Sequence, residues 1–280
     1  MTHRGLQVRM VVAGTILFGF YALVGVFAAP IVGIPVVLAG SVLFVGVQYK
    51  LGKWLALRSV DAEDIDANEY PELVERFEAL SDAMEIETPA FKRGRMGTPN
   101  AFAVGRKGSG VVVVSEVMLA LYEDGHMTAD EIEGVLAHEL AHVKNRDVVM
   151  LLLGQSIASI VGLSVFFLVE LVTDEIPILG FVISYVLSIV AQLLVMVFVL
   201  AISRYREYVA DADAAEYTGN PDALARALAT IKQVGESEQA ADVDASTAAM
   251  CIFGGKRGLL DRVFATHPPM EKRIERLQSQ

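Results

Sequence analysis

Four long apolar runs decide what this chain can fold into. Residues 10–29 and 31–49 are split by Pro30, and residues 148–172 and 177–202 by the acidic stretch Thr173, Asp174, Glu175. Each is close to or above the ~20 residues a helix needs to cross a bilayer. With 54% hydrophobic residues and a mean hydropathy of +0.47, the chain is too apolar for an ordinary soluble domain. A cleaved signal peptide would need a small-residue cleavage site before a polar mature start, and none follows the first run. Two helical hairpins in a membrane are the expectation.

The flanking charges orient both hairpins. Arg4 and Arg9 precede the first run, and Lys50, Lys53 and Arg58 follow the second. Lys144 and Arg146 precede the third, and Arg204 and Arg206 follow the fourth. The turn at Pro30 is uncharged and the turn at Asp174 and Glu175 is acidic. Basic flanks stay in the cytoplasm. The expected layout is a transmembrane hairpin in 1–50, a cytoplasmic part in 51–147, a second hairpin in 148–202 and a second cytoplasmic part in 203–280.

The water-exposed parts are strongly acidic. With 23 basic and 34 acidic residues, the net charge is −11. That argues against nucleic acid as a partner, which would want a basic face. Arg outnumbers Lys, and an acidic, Lys-poor surface suits high salt, where self-repulsion is screened. Cys251 is the single cysteine, so neither an intrachain disulfide nor a cysteine-pair zinc site can form.

Between the hairpins the pattern is α+β. Pro71 opens a helix with Leu73, Phe77, Leu80 and Met84 at helical spacing. Strands are expected around Asn100–Val104 and at Val111–Val114, with Gly105 and Gly108 in the turn. One of them could form a sheet edge that takes a substrate backbone as an added strand. Asn220 and Pro221 start another helix, running to about Val234. Residues 235–247 carry few large apolar groups and read as a loop. Pro268 and Pro269 open a last helix. Ser184, Ser188 and Gln192 recur every fourth residue on the fourth run, a pattern for contact between membrane helices.

The chemistry lies in His138-Glu139-Leu140-Ala141-His142. On a helix, positions i and i+4 share a face, so both imidazoles can aim at one point. Glu139 can reach a water there without being a ligand. Two histidines and a nearby carboxylate are the core of a hydrolytic zinc site. Thr128 to Glu131 reads as a capping box, and Ile132, Val135, Leu136, Leu140 and Val143 form an apolar face. A catalytic zinc takes three protein ligands and keeps one position open. Candidates for the third are Glu207, Asp211, His126 and His267. Glu207 and Asp211 share a helical face after the second hairpin.

In combination these motifs resemble the HtpX-type membrane zinc metallopeptidases, relatives of the type 1 CAAX prenyl endopeptidases. Two N-terminal spans, Asn100-Ala101-Phe102-Ala103, the His-Glu-x-x-His helix, two further spans, Glu207 to Asp211 and Thr266-His267-Pro268-Pro269 cover nearly the whole chain. The resemblance implies a multi-pass α-helical membrane protein with a cytoplasmic α+β, zincin-like (gluzincin-type) peptidase domain. It implies one zinc ion per chain on His138, His142 and Glu207, with Asp211 supporting a ligand. Asn100, Ala101 and Phe102 would lie on the substrate edge, and His267 and Arg273 at the cleft. Relatives cut misfolded or damaged membrane proteins at the cytoplasmic face of the cell membrane. Four spans fit this branch better than the CAAX branch, with its larger chamber.

In such a site zinc acidifies a bound water and polarises the scissile carbonyl. Glu139 would take the water's proton and return it to the leaving amine. His267 and Arg273, and less directly Tyr208, would face the charge developing on the carbonyl oxygen. A zinc-binding scaffold without catalysis would leave Glu139 without a use.

Overall fold

The computed structural model describes residues 33–105, 108–172, 177–236 and 267–280. The first apolar run, the acidic turn at 173–175, residues 237–247 of the expected loop and Cys251 lie outside the described residues. Two compact units emerge. One takes the described residues up to Lys50 and those of Met150–Tyr205; the other takes those of Leu51–Val149 and Arg206–Gln280.

In the first unit, helix α5 (Asp147–Val172) and the apolar part of α6 (Pro177–Thr218) are both long and apolar enough to cross a membrane. Ala158, Val161, Val195 and Val199 pack together between them. Gly154 permits a close approach, since a Cβ there would stand 2.7 Å from Val199. Gln192 donates to Ser159 at 3.5 Å, and Ser188 turns back to the Tyr185 carbonyl. Interhelical packing thus takes up part of the spaced polar set. Leu163, Phe167, Leu171, Ile178, Phe181 and Phe198 point outward and are exposed. An apolar exterior of this extent belongs in lipid or against a partner.

The second unit is a four-stranded sheet with helices. After α1 (Ile34–Ser59) come β1 (Glu63–Asp64), α2 (Pro71–Ala83), β2 (Ala90–Gly94), β3 (Ala101–Val104) and β4 (Val111–Ser115). The strand order is β1-β2-β4-β3, with β2 and β4 parallel and the other pairs antiparallel. Every residue of β4 is buried, as its valine run dictates for a strand covered on both faces. Val112 and Val114 join the main core with Leu73, Phe77, Leu136 and Leu140. Val111 and Val113 face Ala56 and Val60 at the end of α1. Phe77 of α2 stacks on Phe91 of β2, centroids 4.5 Å apart.

β4 runs straight into α3 (Glu116–Glu123), whose first turn is capped by the Ser115 hydroxyl accepting from Met118 N–H. Helix α4 (Ala129–Asn145) follows, and its capping box is complete in both directions. It packs on β3, α2 and α7 (Pro221–Glu236). At Gly134 a Cβ would lie 3.1 Å from the backbone of Leu224, so glycine suits the close approach of α4 and α7. The last helix, α8 (Met270–Leu277), docks on α7 through Met270 and Leu277.

Candidate metal centre

Helix α4 brings His138 and His142 onto one face, their rings edge-on with centroids 4.7 Å apart. Their Nε2 atoms lie 3.1 Å from each other. Glu207, on α6, completes a triangle. Its Oε2 is 3.6 Å from His138 Nε2 and its Oε1 3.4 Å from His142 Nε2. Tetrahedral zinc with bonds of about 2.0–2.1 Å separates its ligand atoms by about 3.3 Å. These separations are of the size such an ion requires, although the two histidines meet different oxygens of Glu207. Oε2 of Glu207 is also buried and without a hydrogen bond. These residues fit a metal ion and form the ligand group found among the described residues.

The outer ring nitrogens are held as well. Asp211 Oδ1 lies 3.0 Å from His138 Nδ1, and Asp147 Oδ2 lies 2.6 Å from His142 Nδ1. A carboxylate at Nδ1 keeps the proton there and leaves the Nε2 lone pair facing the triangle.

Arg273 lies behind this arrangement, fully buried. Its Nε donates to Asp211 Oδ2 at 2.9 Å and its Nη2 to Asp211 Oδ1 at 2.7 Å. Nη1 stands 3.3 Å from Glu207 Oε2. His267 Nδ1 is 3.0 Å from the same oxygen, and a quarter of that side chain is exposed.

Electrostatics follow from this crowding. Burial alone would raise the Asp211 carboxyl, but the Arg273 charge and the His138 contact hold it at about 2. Burial opposes ionisation of Glu207 too, yet His267, His138 and Arg273 keep its carboxyl well below the ordinary range. For His138, burial and Arg273 favour the neutral ring, while contacts with Asp211 and Glu207 outweigh them and raise its pKa.

Other residues singled out in the sequence sit as follows. Glu139 is buried on α4 beside His138. Asn100, Ala101 and Phe102 are buried at the start of edge strand β3, which pairs only with β4 among the described strands. Their side chains face inward, so β3 would offer a substrate its backbone. His126 is in an exposed turn and outside the ligand group. Tyr208 lies under Arg276, 5.0 Å from the guanidinium carbon to the ring centroid.

Two residues escaped the sequence reading of the site. Asp147 bears on His142, and Arg206 pairs with Asp147 and donates to the Asn145 carbonyl at 2.9 Å. In the sequence Arg206 reads only as a basic flank of a span. It is buried, which lowers its pKa to about 10. The signal available was an acid five residues beyond the second histidine, at the head of an apolar run.

Peptidase family M48 matches residues 67–280 of the chain. The chain belongs to peptidase family M48. It is 45% identical to a protein named "Protease HtpX homolog" from Halobacterium salinarum, over 96% of this chain and 100% of the other. A "Protease HtpX homolog" from Pyrococcus abyssi is 35% identical over 83% of this chain and 81% of its own length. The HtpX-type resemblance drawn from the motifs is thereby borne out. For an M48 protease the substrates are proteins or peptides, the family implies zinc, and the His138, His142 and Glu207 group could hold a metal ion.

Proposed function

We propose that this M48 peptidase is a zinc-dependent endopeptidase of the cell membrane that cuts misfolded or damaged membrane proteins from the cytoplasmic side. The observation that carries it is the cluster of His138, His142 and Glu207, with the two Nε2 atoms 3.1 Å apart and one Glu207 oxygen near each, at 3.4 Å from His142 and 3.6 Å from His138. When bound there, zinc supplies the Lewis acidity that acidifies water and polarises a peptide carbonyl.

Glu139 takes the proton of the attacking water and delivers it to the departing amine nitrogen. His267, the partly exposed group at Glu207, donates to the carbonyl oxygen as it gains charge. Arg273 has no exposed surface, so its charge acts through Asp211 and Glu207. The backbone of β3, from Ala101 on, aligns an extended substrate as an added strand. Four membrane spans, two of them α5 and the apolar part of α6, hold the peptidase part at the cytoplasmic face.

A Glu139→Gln variant in native membranes tests the reading. It should keep its zinc, lose proteolysis and retain uncut membrane proteins that co-purify with it. Undiminished cleavage would remove Glu139 from catalysis. For the orientation, single cysteines at positions 174 and 237 are labelled in a Cys251→Ala background. Labelling of position 237 from outside intact cells would reverse the topology.

A further inference from the structure

The two histidines of α4 are each held at Nδ1 by a carboxylate, and these carboxylates come from different places. Asp211 comes from α6, on the far side of the centre. Asp147 comes from the chain just beyond α4 itself. We propose that Asp147, fixed by Arg206, is the positioning residue for His142, and that this pair ties the two ligand-bearing helices to one geometry. This role presupposes that His138, His142 and Glu207 hold zinc.

The local backbone is shaped for it. α4 ends on Arg146, a non-glycine residue in the left-handed region at φ 57° and ψ 40°. An L residue there costs roughly 1–2 kcal/mol. The turn it makes lets the chain start a new helix at once, with Asp147 as its first residue. Asp147 can then fold back by five positions and place Oδ2 at 2.6 Å from His142 Nδ1. The other carboxylate oxygen meets Arg206, which precedes Glu207 on α6. Arg206 also reaches the carbonyl of Asn145 in the last turn of α4, and the Asn145 amide donates to Asp213 of α6 at 2.9 Å.

A chain of contacts therefore runs from His142 through Asp147 to Arg206, the residue beside Glu207. It is anchored a second time by Asn145 and Asp213. A flip or swing of the imidazole breaks its contact with Asp147, a half-buried carboxylate. A carboxylate partner at the outer nitrogen also makes the ring a better donor to a metal. The first histidine has this support from Asp211 of α6, and the second has it from Asp147, which directly follows α4.

The test uses the full-length protein in detergent, with zinc affinity read by competition against a chromophoric chelator. Cobalt substitution adds the visible absorption of the centre as a signature of ligand geometry. The parent should bind zinc and His142→Ala should lose it; failure of that pair would strike at the zinc site itself, whatever Asp147 does. Asp147→Asn keeps the shape and removes the charge. It should bind zinc ~10–100-fold more weakly, with an altered cobalt spectrum and a nearly unchanged melting temperature in the metal-free form. Zinc affinity within twofold of the parent overturns the proposal, and so does a lower metal-free melting temperature at unchanged affinity. If Asp147→Asn does not fold, Arg206→Gln decides. It should weaken zinc binding several-fold, and parental affinity with a parental cobalt spectrum would overturn the proposal.

Discussion

Glu207 and Asp211 stand one helical turn apart on α6, and the ring nitrogen each one meets separates their parts. Glu207 faces the Nε2 atoms of both histidines, while Asp211 meets the Nδ1 of His138. Mass spectrometry of purified variants should therefore find Glu207→Ala largely free of zinc. Asp211→Ala should keep zinc after mild purification and turn over slowly, and His267→Ala should keep zinc with reduced activity. A full equivalent of zinc in Glu207→Ala would remove it from the ligand set. Arg273→Ala leaves Asp211 buried without its cation and should cost about 3–5 kcal/mol in a denaturant melt. The sign of the pH effect is fixed by the same pair. The Asp211 carboxyl titrates near 2 in the folded chain and near 3.8 when unperturbed. As pH falls, the unfolded chain binds the proton first, so this contribution is complete above about pH 4 and is lost as pH drops towards 2. Metal-free Asp211→Asn should show a flatter loss of melting temperature across that range than the metal-free parent. The histidine pair was legible because i and i+4 spacing fixes a direction. The burial of Arg273 was not, because it depends on how α8 docks, and a charge on a short helix gives no sign of which way it turns.

The elements that were readable are those whose own residues carry the signal. Thr128 and Glu131 announce the start of α4, and the valine run of β4 announces a strand buried on both faces. β2, with Lys92 and Arg93, and the two-residue β1 exist through pairing with neighbours, which no local pattern reports. In α6 the composition changes from apolar to charged near residue 203, the expected boundary between membrane and cytoplasmic parts, and one helix runs through it from Pro177 to Thr218. Helix propensity does not register polarity, and Tyr205 to Ala215 contains no breaker. Two substitutions test how α4 is held. Thr128→Ala removes the cap and should lower stability by about 1 kcal/mol. Gly134→Ala sets a methyl against the Leu224 backbone, and this crowding should outweigh the roughly 1 kcal/mol that alanine gains over glycine in helix propensity. Thermal melts read both, and a Gly134→Ala protein clearly more stable than the parent would mean that α4 and α7 give way to the methyl at little cost.

At the scale of the whole molecule, membrane residence was legible from run length alone. Exposed Leu163, Phe167, Phe181 and Phe198 add the outward apolar surface that such runs require. The net charge of −11 carries a separate consequence. Self-repulsion among surface acids weakens as the Debye length shrinks from about 10 Å at 0.1 M salt to about 3 Å at 1 M. The melting temperature in detergent should therefore rise between dilute and molar salt, and a flat or falling series would show that the acidic surface does not limit stability. The centre itself draws on α4, α6 and α8, which are far apart in sequence. During synthesis the histidines emerge first, the ligand carboxylate only after α5 and the apolar part of α6, and the arginine that steadies Asp211 later still. A ribosome-bound chain thus passes most of its elongation without a complete centre. The three parts of the centre can meet only after α5 and the apolar part of α6 have been synthesised.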